Sequence, residues 1–123
     1  MAGKLVHFEL PAQDVGRAKR FWSGVFGWEF GDSAMPEFEY YMVQTGDDQG
    51  GAIMPSETAA SSPIVYFDTD DIDASIAKVR EHGGQADDKT PIPHVGWFTR
   101  CTDTEGIEFS LFQSDESVAP PQA

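Results

Sequence analysis

His7 and Glu9 are the first residues of this chain whose types and spacing could do chemistry. They stand two apart in the run Leu5 to Leu10, where Val6, Phe8 and Leu10 alternate with Leu5, His7 and Glu9, the two-residue period of a strand with unlike faces. One face is expected to meet a helix, and the other to present an imidazole beside a carboxylate. The reading of His7 from its type alone is a pocket-lining polar residue, hydrogen-bonded to a neighbour such as Glu9 or to water. Trp28, Tyr40, Tyr41, Trp97 and Phe98 supply flat rings, on which an organic ligand could stack. Because neighbours on a strand point opposite ways, one of Tyr40 and Tyr41 and one of Trp97 and Phe98 should face inward, and the choice is open at this point. Cys101 is the only cysteine; it sits in a strand-like run with no general base beside it and reads as a small buried filler.

These residues must be positioned by the elements around them. Asp14 precedes a helix-length run in which Val15, Ala18, Phe21, Trp22, Val25 and Phe26 recur at three- and four-residue steps, with Gly27 at its end and Arg17, Lys19 and Arg20 mainly outward. An aspartate at the start and a glycine just past the end are the helix boundary signals. Trp28 to Phe30 is expected to resume a strand, SAMPEF to loop, and Glu39 to Gln44 and Ala52 to Met54 to form two more strands. PSETAASSP then reads as a linker. Beyond it, displaced by 57 positions, Ile64 to Asp87 repeats the opening: Asp71 falls over Asp14, Ile72 over Val15, Gly84 over Gly27, and Trp97 and Phe98 over Tyr40 and Tyr41. One offset held that long is what a duplicated module gives.

In the second copy a strand at Ile64 to Phe67 leads into a helix capped by Asp70 or Asp71, with Ile72, Ile76 and Val79 as its stripe. His82 falls in the last turn of that helix, where an imidazolium complements the helix dipole. DKTPIPHVG is expected to be a loop, Trp97 to Thr102 a strand, DTEG a turn and Ile107 to Gln113 the last strand; SDESVAPPQA is too poor in apolar residues to pack. At 123 residues the two half-size copies, 5–55 and 64–115, are expected to share one domain, joined by 55–63 and followed by a disordered tail at 116–123. The fold class is α+β, as tandem βαβββ modules. A net charge of −13 with only 8 Lys plus Arg argues against a nucleic-acid or anionic-membrane partner. The N-terminus shows neither signal peptide nor apolar anchor, so a cytoplasmic location is expected. Strand edges and apolar strips on small modules favour association, most simply a homodimer.

HFELPAQD, RAKRFWSGVFGW, TPIPHVGWF and DTEGIEFSLFQSD, set in two such modules, resemble the glyoxalase, bleomycin-resistance and extradiol-dioxygenase superfamily over Leu5 to about Asp115. The resemblance implies that the modules form a cup with helices outside. In metal-using members the cup holds one divalent ion, bound by a side chain from the first and the last strand of each module and acting as a Lewis acid on substrate oxygens. His7 matches the first-strand position, but its repeat partner is Ile64, and the last-strand positions fall on Ser110 and, by the same offset, Ile53. Apolar and hydroxyl side chains are poor donors to such an ion. The favoured expectation is therefore a protein without a metal cofactor that binds a small organic molecule, its pocket made from His7, Glu9, Tyr40, Tyr41, Trp97, Phe98 and Ser110. The alternative is a lyase, isomerase or dioxygenase whose divalent ion is held at a displaced site by His7, Glu9 and Glu108.

Overall fold

A computed structural model of the chain describes residues 2–33, 39–56 and 62–119. SAMPEF from residue 34 on, the centre of the linker and the last four residues lie outside them. The chain divides into two compact units, Val6–Ile64 and Met1–Leu5 with Val65–Ala123. Both combine a helix with a mixed sheet, the α+β class expected.

The first unit runs β1 (Leu5–Ala12), α1 (Val15–Phe26), β2 (Tyr41–Gln44) and β3 (Gly50–Pro55), in the spatial order β2-β3-β1. β1 lies parallel to β3 and β2 antiparallel to it. Asp14 caps α1 by accepting from the Arg17 amide at 2.9 Å, and Gly27 closes it at φ 71°, a left-handed conformation that suits glycine. Trp28 to Phe30 is not a strand, contrary to expectation. Its rings join α1 instead: Trp28 stacks on Trp22 at 5.2 Å between centroids and meets Phe26 and Phe8, while the Trp28 carbonyl accepts from Ser23 Oγ. The helix stripe is also rotated from the one expected. Lys19 turns inward over the Tyr41 ring, 3.7 Å from its centroid, and Phe21, Val25 and Phe26 are exposed.

The second unit runs β4 (Ile64–Asp68), α2 (Ile72–Glu81), β5 (Gln85–Ala86), β6 (Thr90–Ile92), β7 (Gly96–Thr102) and β8 (Glu108–Ser114). The order is β4-β8-β7-β5, with β6 also paired to β7. β4 is parallel to β8 and β7 antiparallel to it, which repeats the first unit's pattern. Asp71, rather than Asp70, caps α2 through the Ala74 amide. Ile72, Ile76, Cys101 and Leu111 form the buried core under α2, with Val79, Ala86, Trp97 and Phe109 packed against it. Burial pushes the Cys101 thiol up to about 11, so the filler reading fits and a thiolate nucleophile does not. In the DTEG turn, Asp103 Oδ1 accepts from the amides of Glu105 and Ile107 at 2.8 and 2.9 Å.

Two expectations fail here. Thr90–Ile92, read as loop, pairs with β7 because the carbonyls and amides of the Trp97 edge need partners. In the segment after β8, read as disordered, the described residues 115–119 fold back: Val118 is 6% exposed and its carbonyl accepts from the His94 amide at 2.9 Å, while 120–123 lie outside the described residues.

Glycine substitutions separate close approach from mere helix weakening. At Gly96 an added Cβ runs into the Gln113 carbonyl, whereas at Gly24 it meets nothing. Gly96→Ala should lower stability by roughly 1–3 kcal/mol, and Gly24→Ala should raise it by up to about 1 kcal/mol. Chemical denaturation of both variants checks the pair; effects of the same sign would contradict this packing.

Candidate functional site

Strand pairing decides which side chains share a face. His7 is registered with Gly50 and Glu9 with Ala52 across β1 and β3, and Ala52 and Gly50 with Met42 and Gln44 across β3 and β2. His7, Glu9, Met42 and Gln44 therefore lie on one face, and Phe8, Leu10 and Ile53 on the face toward α1. Tyr40, two residues before Met42, follows the same parity.

Tyr40 joins the two residues singled out at the start. Its hydroxyl lies 2.8 Å from Glu9 Oε2 and 2.8 Å from His7 Nε2. A carboxylate only accepts, so the phenol proton is donated to Glu9, and the phenol oxygen accepts from His7. His7 thus carries its proton on Nε2, and the chain His7→Tyr40→Glu9 has one direction. Burial holds the His7 imidazole below its usual value, and the Glu9 charge only partly offsets this. Glu9 itself is 5% exposed, and its Oε1 has no hydrogen-bond partner among the described residues. His7 also borders a groove of about 380 Å³ at this end of the sheet, lined by Val6, Met42, Val43, Gln44 and the β2–β3 turn residues Asp48, Gln49 and Gly50.

The remaining pocket residues divide between the two faces. Tyr41 lies under Lys19 on the α1 side, and Trp97 packs in the α2 core with Lys89 over its ring. Neither shares a face with the polar chain of its own unit's sheet or its equivalent. Phe98 takes the face away from α2, 6.5 Å from the Tyr66 ring. Ser110, registered with Tyr66, is fully buried there, its Oγ without a partner among the described residues. Glu108, two residues before Ser110, is exposed at the start of β8.

Tyr40 and Phe98 occupy corresponding faces although the repeat offset aligned Tyr40 with Trp97. Ladder registers give the reason: Glu9 pairs with Ala52 and Tyr66 with Ser110, so the late strands are displaced by one position more than the first strands and helix caps. A one-residue slip exchanges the two faces. The first unit's counterpart of Ser110 is consequently Ala52, while Ile53, 0% exposed, belongs to the α1 side.

This register bears on the metal that the family resemblance implies. Its four positions would be His7, Ile64, Ala52 and Ser110; only His7 offers a strong donor, and its Nε2 is committed to Tyr40. Among the described residues no three His, Cys, Asp or Glu side chains form a group that could hold a metal ion. The side chains present do not fit a divalent ion of the usual kind.

Comparison with known proteins agrees with this architecture. Residues 4–46 match the family model "Bleomycin resistance protein-like N-terminal". A "Glyoxylase-like domain-containing protein" of Didymella fabae is 36% identical over 113 residues, covering 85% of this chain and 88% of that one. The putative glyoxylase CFP32 of Mycobacterium bovis is 30% identical over 120 residues, 89% of this chain, and the chain spans 45% of that protein. Among solved structures, a glyoxalase/bleomycin resistance protein/dioxygenase superfamily member from Vibrio splendidus 12B01 superposes with a TM-score of 0.70 at 17% identity, over 91% of this chain and 99% of that one. The chain belongs to the glyoxalase, bleomycin-resistance and dioxygenase superfamily. No helix among the described residues is long and apolar enough to cross a membrane.

Two measurements probe the chain of hydrogen bonds. Tyr40→Phe removes both bonds and leaves the buried Glu9 carboxylate without its phenol donor, so stability should fall by about 1–3 kcal/mol; a loss within error by urea denaturation would contradict the arrangement. For pH, the folded state binds the His7 proton less readily than the unfolded chain. The unfolded chain therefore holds more protons below the ordinary value of 6.5, and this contribution is full above it and declines as pH falls through it. His7→Gln should flatten that part of the stability curve between about pH 5 and 7; identical curves for the two proteins would contradict it.

Proposed function

We propose that this protein binds a small organic molecule on the His7 face of its first unit, without a bound metal ion. The observation that carries the reading is the oriented chain His7→Tyr40→Glu9, whose His7 end borders a groove. Such a chain fixes the imidazole in one tautomer and so presents a ligand with a defined hydrogen-bonding edge. Met42 supplies apolar surface, Gln44 and Gln49 adaptable amides, and Asp48 a charge at the rim. A few placed polar groups among apolar ones are the usual composition of ligand sites. The inert residues Ile64 and Ala52 support a role that needs no Lewis acid.

Elemental analysis of native protein together with amide NMR titration tests this, with indole and quinoline as probes. The expected result is substoichiometric Zn, Fe, Ni and Mn, and shifts concentrated at His7, Met42, Gln44 and Gly50. Stoichiometric metal lost from a His7→Ala protein, or shifts absent from these residues for both probes, would overturn the reading.

A further inference from the structure

α1 carries much of its apolar surface on the outside. Phe21, Val25 and Phe26 are each more than half exposed. Phe21 and Val25 stand one turn apart, and Phe21 and Phe26 are joined through the Trp22 ring, edge-on at 5.2 Å and stacked at 5.9 Å. Apolar side chains grouped in this way on a surface mark a contact region. The outer side of β2, by contrast, is occupied: Ser33 bridges to Tyr41, and the Gly31 amide donates to the Met42 carbonyl.

Charge indicates what fits the helix face. Arg17, Lys19 and Arg20 lie in α1, which holds no Asp or Glu although the chain carries a net charge of −13. Lys19 turns to the Tyr41 ring, whereas Arg17 and Arg20 are exposed in the N-terminal half. Glu29 and Asp32, also exposed, follow just past the C-terminal end. A segment basic at one end and acidic at the other complements an antiparallel copy of itself. Between the two ends lies Gly24, where an added Cβ meets nothing within 4 Å, so a second backbone can come close.

We propose that the outer face of α1 is the contact surface for a second copy of this chain, in a two-fold symmetric dimer of antiparallel helices whose axis passes between Gly24 and Val25. Arg20 then faces the partner's Glu29, and Arg17 the partner's Asp32, because both pairs are centred on the same point of the sequence. Each pair forms twice, and Phe21 and Val25 close over the axis. The net charge of −13 on each copy opposes association at a distance, but salt confines that repulsion to about 8 Å, while the pairs act at contact. A single pair of helices is at the small end of specific interfaces, so the dimer dissociates on dilution.

Sedimentation velocity of the full chain over a wide range of concentration tests the surface. Native protein should pass from monomer to dimer as concentration rises. Arg20→Glu should weaken the dimer by about tenfold, and adding Glu29→Arg to it should bring affinity back to within about threefold of native. Val25→Asp should leave monomer; all these positions are exposed, and circular dichroism checks that the variants fold. In a Gly24→Cys protein the new thiols should join two copies by a disulfide in a glutathione redox buffer, while Cys101, buried and with its thiol pushed up to about 11, stays reduced. Monomer at every concentration overturns a second copy as the occupant and leaves the face to a different protein. A dimer indifferent to both Arg20→Glu and Val25→Asp, a double variant no tighter than Arg20→Glu alone, or a Gly24→Cys dimer that does not cross-link also overturns the proposal.

Discussion

The constraint on which the rest of this structure depends is the parity of strand residues. Side chains alternate across a sheet, so a site built on three strands exists only if all three are in step. In the first unit β1, β3 and β2 are in step through the pairs Glu9 with Ala52 and Ala52 with Met42. That puts Tyr40 opposite α1, where its hydroxyl reaches both His7 and Glu9. Shift β2 by one residue and Tyr41, now under Lys19, would stand there instead. The chemistry of the face is thus a consequence of ladder geometry more than of residue content.

The same parity explains how the two units diverged in use. In the second, the face away from α2 carries Tyr66, Phe98 and the buried Ser110; in the first it carries Glu9, Tyr40 and Ala52. A charge, a phenol and an imidazole stand in one copy, against rings and a hydroxyl in the other. The α-facing sides are both apolar, but they differ in form: the first is built on stacked tryptophans at Trp22 and Trp28, the second on the aliphatic Ile72, Ile76 and Leu111. The two units share one pattern of strand pairing and differ in the residues carried on one face of each.

Much of this was legible in the sequence, and the failures share a cause. Alternation in β1 assigned His7 and Glu9 to one face correctly, and Asp14 and Asp71 marked both helix starts, because these signals are local. The duplicated order of elements was legible for the same reason. The faces of Tyr40, Tyr41, Trp97 and Phe98 were not, since a single offset cannot reveal one extra residue between helix and late strands. Nor could Tyr40 be identified as the link between His7 and Glu9, which are more than thirty residues away in sequence. Trp28 to Phe30 looked like a strand because aromatic residues favour strands, but stacking on Trp22 claimed those rings. Val118 was overlooked because a lone apolar residue in a polar tail carries no period.

The central claim is that a half-buried phenol ties a neutral imidazole to a buried carboxylate in one direction. Nitrogen-15 NMR of the His7 ring at pH 7 reads it most directly. The account predicts a neutral imidazole protonated at Nε2 and unprotonated at Nδ1; an imidazolium, or a proton on Nδ1 with a bare Nε2, would contradict it.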